Sequence, residues 1–126
     1  MTQTNQNSEQ VLRHKLDLLL RTGQLLLESA ADTNRVMRNM KRTAAFLGLP
    51  EEHLHIYFTY NMLMVNLSDA EHSFSKFQRC DKHGINMTTI SLVSKLSWKA
   101  IREDYSIERY EEELEKIKNR PRNYTP

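Results

Sequence analysis

The sequence has little cysteine and no long apolar run. Its single cysteine, Cys80, excludes an intrachain disulfide framework and is typical of a reducing compartment, so we expect a cytosolic location. No window approaches the ~18 apolar residues that span a bilayer. The polar N-terminus MTQTNQNSEQ is neither a signal peptide nor a membrane anchor. We therefore expect the residues present to be water-soluble.

An excess of charge of one sign is also missing. The chain has 18 basic and 16 acidic residues, which give a formal charge of +2. Because the two signs are interspersed, no strong field attracts nucleic acid, and we expect no nucleic-acid partner. An apolar content of 39% over 126 residues suffices for one core. We assign residues 1–10 to a disordered tail, 11–120 to a single domain and 121–126 to a linker.

Enzyme motifs are absent too. The sequence contains no GxxxxGK, GxGxxG, GxSxG or HExxH. Cys80 and His83 have half of a zinc-ligand spacing, but a closed site needs four converging ligands. Acid–base pairs such as Asp32 with Ser29, or His83 with Asp81, are explained equally by capping and turn formation. We predict no enzyme, no bound metal and no cofactor.

Apolar residues at steps of three and four begin at Val11 and predict a long first helix. Gly23 lies within this helix, where close approach of another backbone would compensate for its low helix propensity. The apolar stripe consists of Leu12, Leu16, Leu19, Leu20, Gly23, Leu26, Leu27 and Ala30.

Asp32 is a suitable N-cap for a second helix, and Gly48 is a suitable stop. The polar side of this helix is basic, which indicates either a solvated face or a surface for a partner or a phospholipid. The basic residues are Arg35, Arg38, Lys41 and Arg42.

Alternating polar and apolar residues then predict three strands, at 54–60, 62–67 and 72–80. Phe74 and Phe77 are three positions apart, an odd spacing that places side chains on opposite faces of a regular strand. Either one of them therefore faces outward or a bulge intervenes. Short connections between the strands favour an antiparallel meander.

Two further helices are predicted after the strands. Asn86 and Ser106 are their N-caps, and Pro121 ends the last one. The third helix should bury Met87, Ile90, Val93, Ser94, Ser97, Ala100 and Ile101, and the fourth Ile107, Tyr110, Leu114 and Ile117.

This pattern predicts an α+β fold: two N-terminal helices, a three-stranded antiparallel meander and two C-terminal helices, with the helices on one face of the sheet.

Two segments resemble signatures of the threonine/serine exporter family. The run LLLESAADTNRV, with Gly23 before it and Arg42 and Gly48 after it, is similar to the motif that opens the family's soluble domain. The run RCDKHGINM, followed by TTISLVSKLS, is similar to the second signature. The resemblance covers roughly residues 12–124. One departure is Ala30-Ala31, where the family often has glycine, so Ala31 needs ordinary helix or cap geometry.

The resemblance implies a cytoplasmic domain that precedes a bundle of membrane helices, which this chain lacks. Those helices, in the same or a partner polypeptide, would export threonine, serine or another small amino or organic acid. The domain would support or regulate transport at the cytoplasmic face of the inner membrane, alone or as a homo-oligomer. Residues 121–126 would then lead toward the membrane, and the basic residues from Lys116 to Arg122 fit its cytoplasmic flank, although the helix dipole explains them equally.

Two alternatives belong to other classes. A free-standing module could bind a small amino acid or dock a protein, with a pocket between sheet and helices and polar contacts from Tyr57, Thr59, Arg79 and Asn86. A hydrolase would need a nucleophile and a base within hydrogen-bond reach. A natural chain that continues into apolar segments of ~20 residues would favour the exporter domain over both.

Two turns carry the candidate site residues, which would bind a ligand or couple to the membrane part. In the predicted fold the turns converge at one end, where a carboxylate and two guanidinium groups would meet. The local alternative is that Asp32 and Asn86 only cap helices and that Arg79 pairs with an acid. The candidates are Glu28, Ser29, Asp32, Thr33, Arg35, Arg79, His83, Gly84 and Asn86.

Overall fold

A computed structural model of the protein describes residues 2–68 and 73–120, with side chains from residue 8 onward. Its element order confirms the predicted α+β class and the arrangement of helix pair, meander and helix pair. Within the described ranges, no helix is both long and apolar enough to cross a membrane. The elements are α1 (Thr2–Glu28), α2 (Thr33–Phe46), a 3-10 turn (Glu51–His53), β1 (Leu54–Phe58), β2 (Met62–Ser68), β3 (Ser73–Arg79), α3 (Met87–Arg102) and α4 (Ile107–Lys118).

The first helix begins earlier than predicted. Helix α1 starts at Thr2 and continues through the residues that we assigned to a disordered tail. The stretch before Val11 has no glycine or proline, so an existing helix extends through it at one hydrogen bond per residue. Glu9 and Arg13 also pair one turn apart, at 3.6 Å. Three features that the sequence predicts lie wholly or mostly outside the described residues: a turn at 68–71, the first residue of the third strand, His72, and the linker at 121–126 with its Pro121.

The three strands form an antiparallel sheet in the order β1-β2-β3, as predicted. Pairing is continuous in the described strands, and one row across the sheet is Ile56, Val65 and Lys76. No bulge therefore separates Phe74 from Phe77. Phe74 is half-buried on the face that α1 covers, which we call the inner face, whereas Phe77 is 64% exposed on the outer face.

Helix α1 is the element on which most others pack, since it contacts α2, α3, α4, β2 and β3. Contact on several sides explains why Leu18, which lies outside the predicted stripe, is fully buried. The buried apolar residues of α1 are Leu16, Leu18, Leu19, Leu20, Leu26 and Leu27.

The predicted buried face of α3 is wrong at both of its ends. Met87 is 59% exposed and Ile101 is 43% exposed, whereas Leu96, which we did not predict, is buried. The buried face is centred on Val93 and Ala100, and the two end residues project beside it. In α4, the predicted face is confirmed, with Tyr110 and Leu114 buried and Ile107 and Ile117 partly buried.

A buried hydroxyl ties three helices together. The Tyr110 hydroxyl of α4 lies 2.6 Å from the Thr22 hydroxyl of α1 and 3.4 Å from the Thr43 hydroxyl of α2. Burial raises the pKa of Tyr110, although its hydrogen bonds with both threonines oppose that shift. The Tyr110 ring also packs against Phe46, with ring centroids 5.2 Å apart. A neutral tyrosine therefore satisfies its polar group inside the core.

The basic side of α2 is not simply solvated. The Arg42 guanidinium donates to Asn39 at 2.9 Å and to Ser97 of α3 at 3.0 Å. It also lies 3.9 Å from the ring centroid of Trp98, a cation–π contact. Burial, and then the charge of Arg38, lower the pKa of Arg42. Arg42 therefore joins α2 to α3.

Gly23 marks a close approach, as expected, but to side chains rather than to a backbone. A Cβ atom at this position would lie 2.6 Å from Leu63 Cδ2 and 2.7 Å from Met40 Sδ. Both neighbours are fully buried. The glycine therefore lets β2 and α2 pack directly on α1.

We expect Gly23→Ala to lower the free energy of unfolding by about 1 kcal/mol. Alanine gains about 1 kcal/mol in helix propensity, but overpacking a filled core costs about 1–3 kcal/mol. Chemical denaturation followed by circular dichroism measures the change. In a Met40→Ala background the same substitution should cost less, because the crowding sulfur is gone. An equal loss in both backgrounds would contradict this account.

Candidate functional site

The two predicted turns meet in space at the C-terminal end of α1. After β3, residues 80–86 cross this end and hydrogen-bond to its backbone. The His83 N–H donates to the Glu28 carbonyl at 3.1 Å, and the Asn86 N–H donates to the Ser29 carbonyl at 3.0 Å. These bonds satisfy carbonyls that a helix terminus leaves without partners. Residues far apart in sequence thus form one structural unit, which we call the junction (residues 24–35 and 79–86).

The Glu28 carboxylate is the centre of the junction. Its Oε2 accepts a hydrogen bond from the Asp81 N–H at 2.9 Å and one from Gln24 Nε2 at 3.2 Å. Gln24 also reaches the Arg79 carbonyl at 3.5 Å. The sequence analysis did not assign Gln24 or Asp81 to the site. In the sequence, the one indication of this contact is the spacing of Gln24, which lies one helical turn before Glu28.

The predicted group of one carboxylate and two guanidiniums does not form around Asp32. The Asp32 carboxylate accepts from the Arg35 N–H at 2.9 Å and so caps α2, as predicted. The Arg79 side chain pairs with Asp81 instead, at 3.3 Å, and both are largely exposed. Thr33 is exposed at the first position of α2. The local explanation of Asp32 and Arg79 thus describes the geometry.

The remaining candidates shape the second segment of the junction. Ser29 is buried at the end of α1. Asn86 caps α3 by accepting from the Thr89 N–H at 3.0 Å. Gly84 has a φ of +99°, a conformation that glycine adopts without strain. His83 is exposed, so its side chain is accessible on this surface.

Cys80 lies beside the junction but has the properties of a structural thiol. It is only 2% exposed. Burial, and then the charges of Glu28 and Asp81, raise the pKa of Cys80 to about 11. At neutral pH the thiolate is therefore scarce, which makes the sulfur a poor nucleophile. Within residues 2–68 and 73–120, no three histidine, cysteine or acidic side chains group as a metal site.

A groove of about 370 Å³ lies away from the junction, between α2 and β1. Of the four polar contacts that we predicted for a ligand pocket, Tyr57 lines this groove. Thr59, Arg79 and Asn86 are not among its lining residues, which are Met37, Lys41, Ala44, Ala45, Leu49, Glu51, Leu54, His55, Ile56 and Tyr57.

Helices α1 and α2 end in the same hydrogen-bonded motif with different residues. The Ala30 N–H donates to the Leu27 carbonyl and the Ala31 N–H to the Leu26 carbonyl, each at 3.0 Å. This is a Schellman motif, which needs a left-handed residue at its centre. Ala30 takes that conformation with a φ of +64°, while Ala31 keeps a negative φ, as expected. At the end of α2, Gly48 occupies the equivalent position with a φ of +75°.

We expect Ala30→Gly to raise the free energy of unfolding by about 1 kcal/mol, because glycine lacks the Cβ that strains this conformation. Gly48→Ala is the matched reverse change and should lower the free energy by a similar amount. No atom lies within 4 Å of a Cβ built at Gly48, so only the backbone conformation is tested. Thermal and chemical unfolding measure both effects. Destabilisation by Ala30→Gly would be inconsistent with the strain described.

We expect Glu28→Ala to loosen the second segment of the junction. The substitution removes the acceptor of the Asp81 N–H, a charge-assisted bond, and should cost about 1–2 kcal/mol. Amide hydrogen exchange should accelerate at Asp81. Glu28→Gln keeps an acceptor oxygen and should change the exchange rate less. Equal Asp81 exchange in wild type and in Glu28→Ala would show that the carboxylate does not hold this segment.

Comparison with known proteins gives one match. A family described as "Putative threonine/serine exporter" matches residues 17–126, which is most of the chain and includes the junction. No curated protein and no solved structure matches the chain.

Proposed function

Because the chain belongs to the threonine/serine exporter family, we propose that it is the cytoplasmic domain of an exporter of threonine, serine or a related small acid. It supports or regulates transport by membrane helices outside this chain, in the same or a partner polypeptide, at the inner membrane. The family consists of transporters, so the proposal assigns the domain no catalytic role.

The family match over residues 17–126 is the observation that carries this proposal. The matched region includes both segments of the junction. A function shared within the family therefore lies within residues 17–126, which include the junction, and not on the N-terminal turns of α1, which precede the match.

The junction offers a suitable contact for a membrane part. Its backbone is fixed by hydrogen bonds from residues 81, 83 and 86 to the end of α1. Its charged side chains are nevertheless at the surface: Asp32 is exposed, and the Arg79–Asp81 pair is solvent-accessible. A rigid backbone that presents exposed charge of both signs suits recognition of a charged partner, because little entropy is lost on binding.

We expect deletion of the native gene to reduce export of threonine or serine. Cells with and without the gene are loaded with each amino acid, and the amount released to the medium is measured over time. Re-expression of the whole wild-type gene should restore release. Unchanged release of both amino acids and of small organic acids in the deletion strain would refute the proposal.

Substitutions in the same cells test the role of the junction. Arg79→Gln should reduce release while the melting temperature stays nearly unchanged, because the Arg79–Asp81 pair is exposed and adds little stability. Arg109→Gln is the control, since Arg109 forms an ion pair with Glu113 at 3.1 Å on α4, outside the junction, although Glu113 is less exposed than Asp81. Equal amino-acid release by cells with either variant would show that Arg79 has no special role in transport.

A further inference from the structure

Strand β1 lies at an edge of the sheet, and its register shows which backbone groups face outward. The Thr59 N–H donates to the Met62 carbonyl at 2.9 Å, so these residues form a hydrogen-bonded pair. Such pairs alternate with non-hydrogen-bonded pairs along an antiparallel ladder. The backbone N–H and C=O groups of Tyr57 therefore bond to β2, whereas those of its neighbours Ile56 and Phe58 do not. The backbone groups of Ile56 and Phe58 point toward the open edge.

The two edges of the sheet differ in their protection against another strand. Strand β3 carries Lys76 on the inner face, in register with the buried Val65. An inward-pointing charge on an edge strand opposes pairing with a further strand, because the charge would be buried. Strand β1 has the sequence LHIYF, without lysine, proline or an acidic residue, and it pairs with β2 without a bulge. Of the two edges of the sheet in the described residues, the β1 edge is therefore the unprotected one.

Space for another strand is present beside β1. The groove between β1 and α2 is lined by Ile56 from the inner face of the sheet and by Tyr57 from the outer face. Since residues from both faces line it, the groove follows the edge of the strand. On the α2 side it is lined by the small side chains of Ala44 and Ala45 and by the longer side chains of Met37 and Lys41. A strand at the usual spacing of about 4.8 Å would lie along this groove.

We propose that β1 pairs with β1 of a second copy, antiparallel and about a twofold axis at Ile56, to form one sheet across two chains. Ile56 exchanges both backbone hydrogen bonds with Ile56 of the second copy. The Phe58 N–H donates to the opposite Leu54 carbonyl. The Leu54 N–H takes no part, because it already donates to the Glu51 carbonyl.

The sequence of β1 favours a second copy of this chain as the partner that pairs with its open edge. Leu54, Ile56 and Phe58 are all half-buried inner-face residues. A twofold axis at Ile56 places Leu54 opposite Phe58, so the apolar side chains of one copy cover those of the other. On the outer face His55 lies opposite Tyr57, the same two ring types that stack within one chain at 6.4 Å. Neither pairing places like charges opposite each other, so the strand is self-complementary.

Disulfide trapping of the full chain tests the proposal. Across the twofold axis the two Ile56 Cα atoms should be about 5.5 Å apart, within the disulfide range of about 4.4–6.8 Å. Ile56→Cys should therefore form a covalent dimer under mild oxidation. Lys76→Cys is the matched control, because it lies in the same row on the opposite edge. Cys80 is buried and should not react. Covalent dimers from Lys76→Cys but not from Ile56→Cys would overturn the proposal.

Light scattering of the unmodified chain gives an independent measurement. The wild-type chain should have twice the mass of one chain at high concentration. Ile56→Pro removes an N–H that points away from β2, so the sheet should remain folded while the dimer is lost. Circular dichroism checks folding, and Tyr57→Lys, which adds charge to the same edge, provides a second disrupting variant. A wild-type chain that stays monomeric, or a dimer that persists in both folded variants, would refute the proposal.

Discussion

The structure depends on the burial of one helix on several sides. Six leucines of α1 are buried, and their burial contributes on the order of 10 kcal/mol before chain entropy is counted. No single neighbour covers them, so α2, α3, α4 and the sheet all pack against α1. Gly23 allows the closest of these contacts, with β2 and α2. The positions of the other elements follow from the need to cover this helix.

The junction is a consequence of where α1 ends. A helix terminus leaves carbonyl groups without partners, and the segment after β3 supplies two N–H donors to them. The Glu28 carboxylate adds a third bond from side chain to backbone, to the Asp81 N–H. The segment between the sheet and α3 is thus held by the end of α1, and its exposed charges lie on an anchored backbone. That anchored backbone makes the segment suitable as a contact surface.

The sheet has one face that α1 covers and two edges of unequal character. Family membership relates the domain to transport, and the sheet edges relate to how many copies act together. The edge of β1 bears on this question, because it combines outward backbone groups with an apolar, uncharged sequence. The residues that line the groove beside β1 are different from those of the junction, and a pair of domains joined there would carry two junctions.

The sequence by itself determined the fold class, the caps at Asp32, Asn86 and Ser106, and the family. These features rest on periodicity and on hydrogen bonds between residues a few positions apart, which a linear pattern records. The tertiary structure alone decided the partners of the charged side chains at the junction. Arg79 pairs with Asp81, and Glu28 binds the Asp81 N–H. The latter contact joins residues 53 positions apart, a distance that no local spacing encodes.

It also decided the conformation and exposure of particular residues. Ala30 is left-handed because the chain must turn from α1 into α2, although alanine itself disfavours that conformation. Met87 and Ile101 are exposed because they project beside the buried face of α3, which is centred on Val93 and Ala100, and hydrophobicity alone does not reveal that offset. Gly23 was recognisable as a packing position, but only the folded core shows that side chains of Leu63 and Met40 fill the space above it. Local energies thus fixed the elements, and the requirement to bury α1 fixed their contacts.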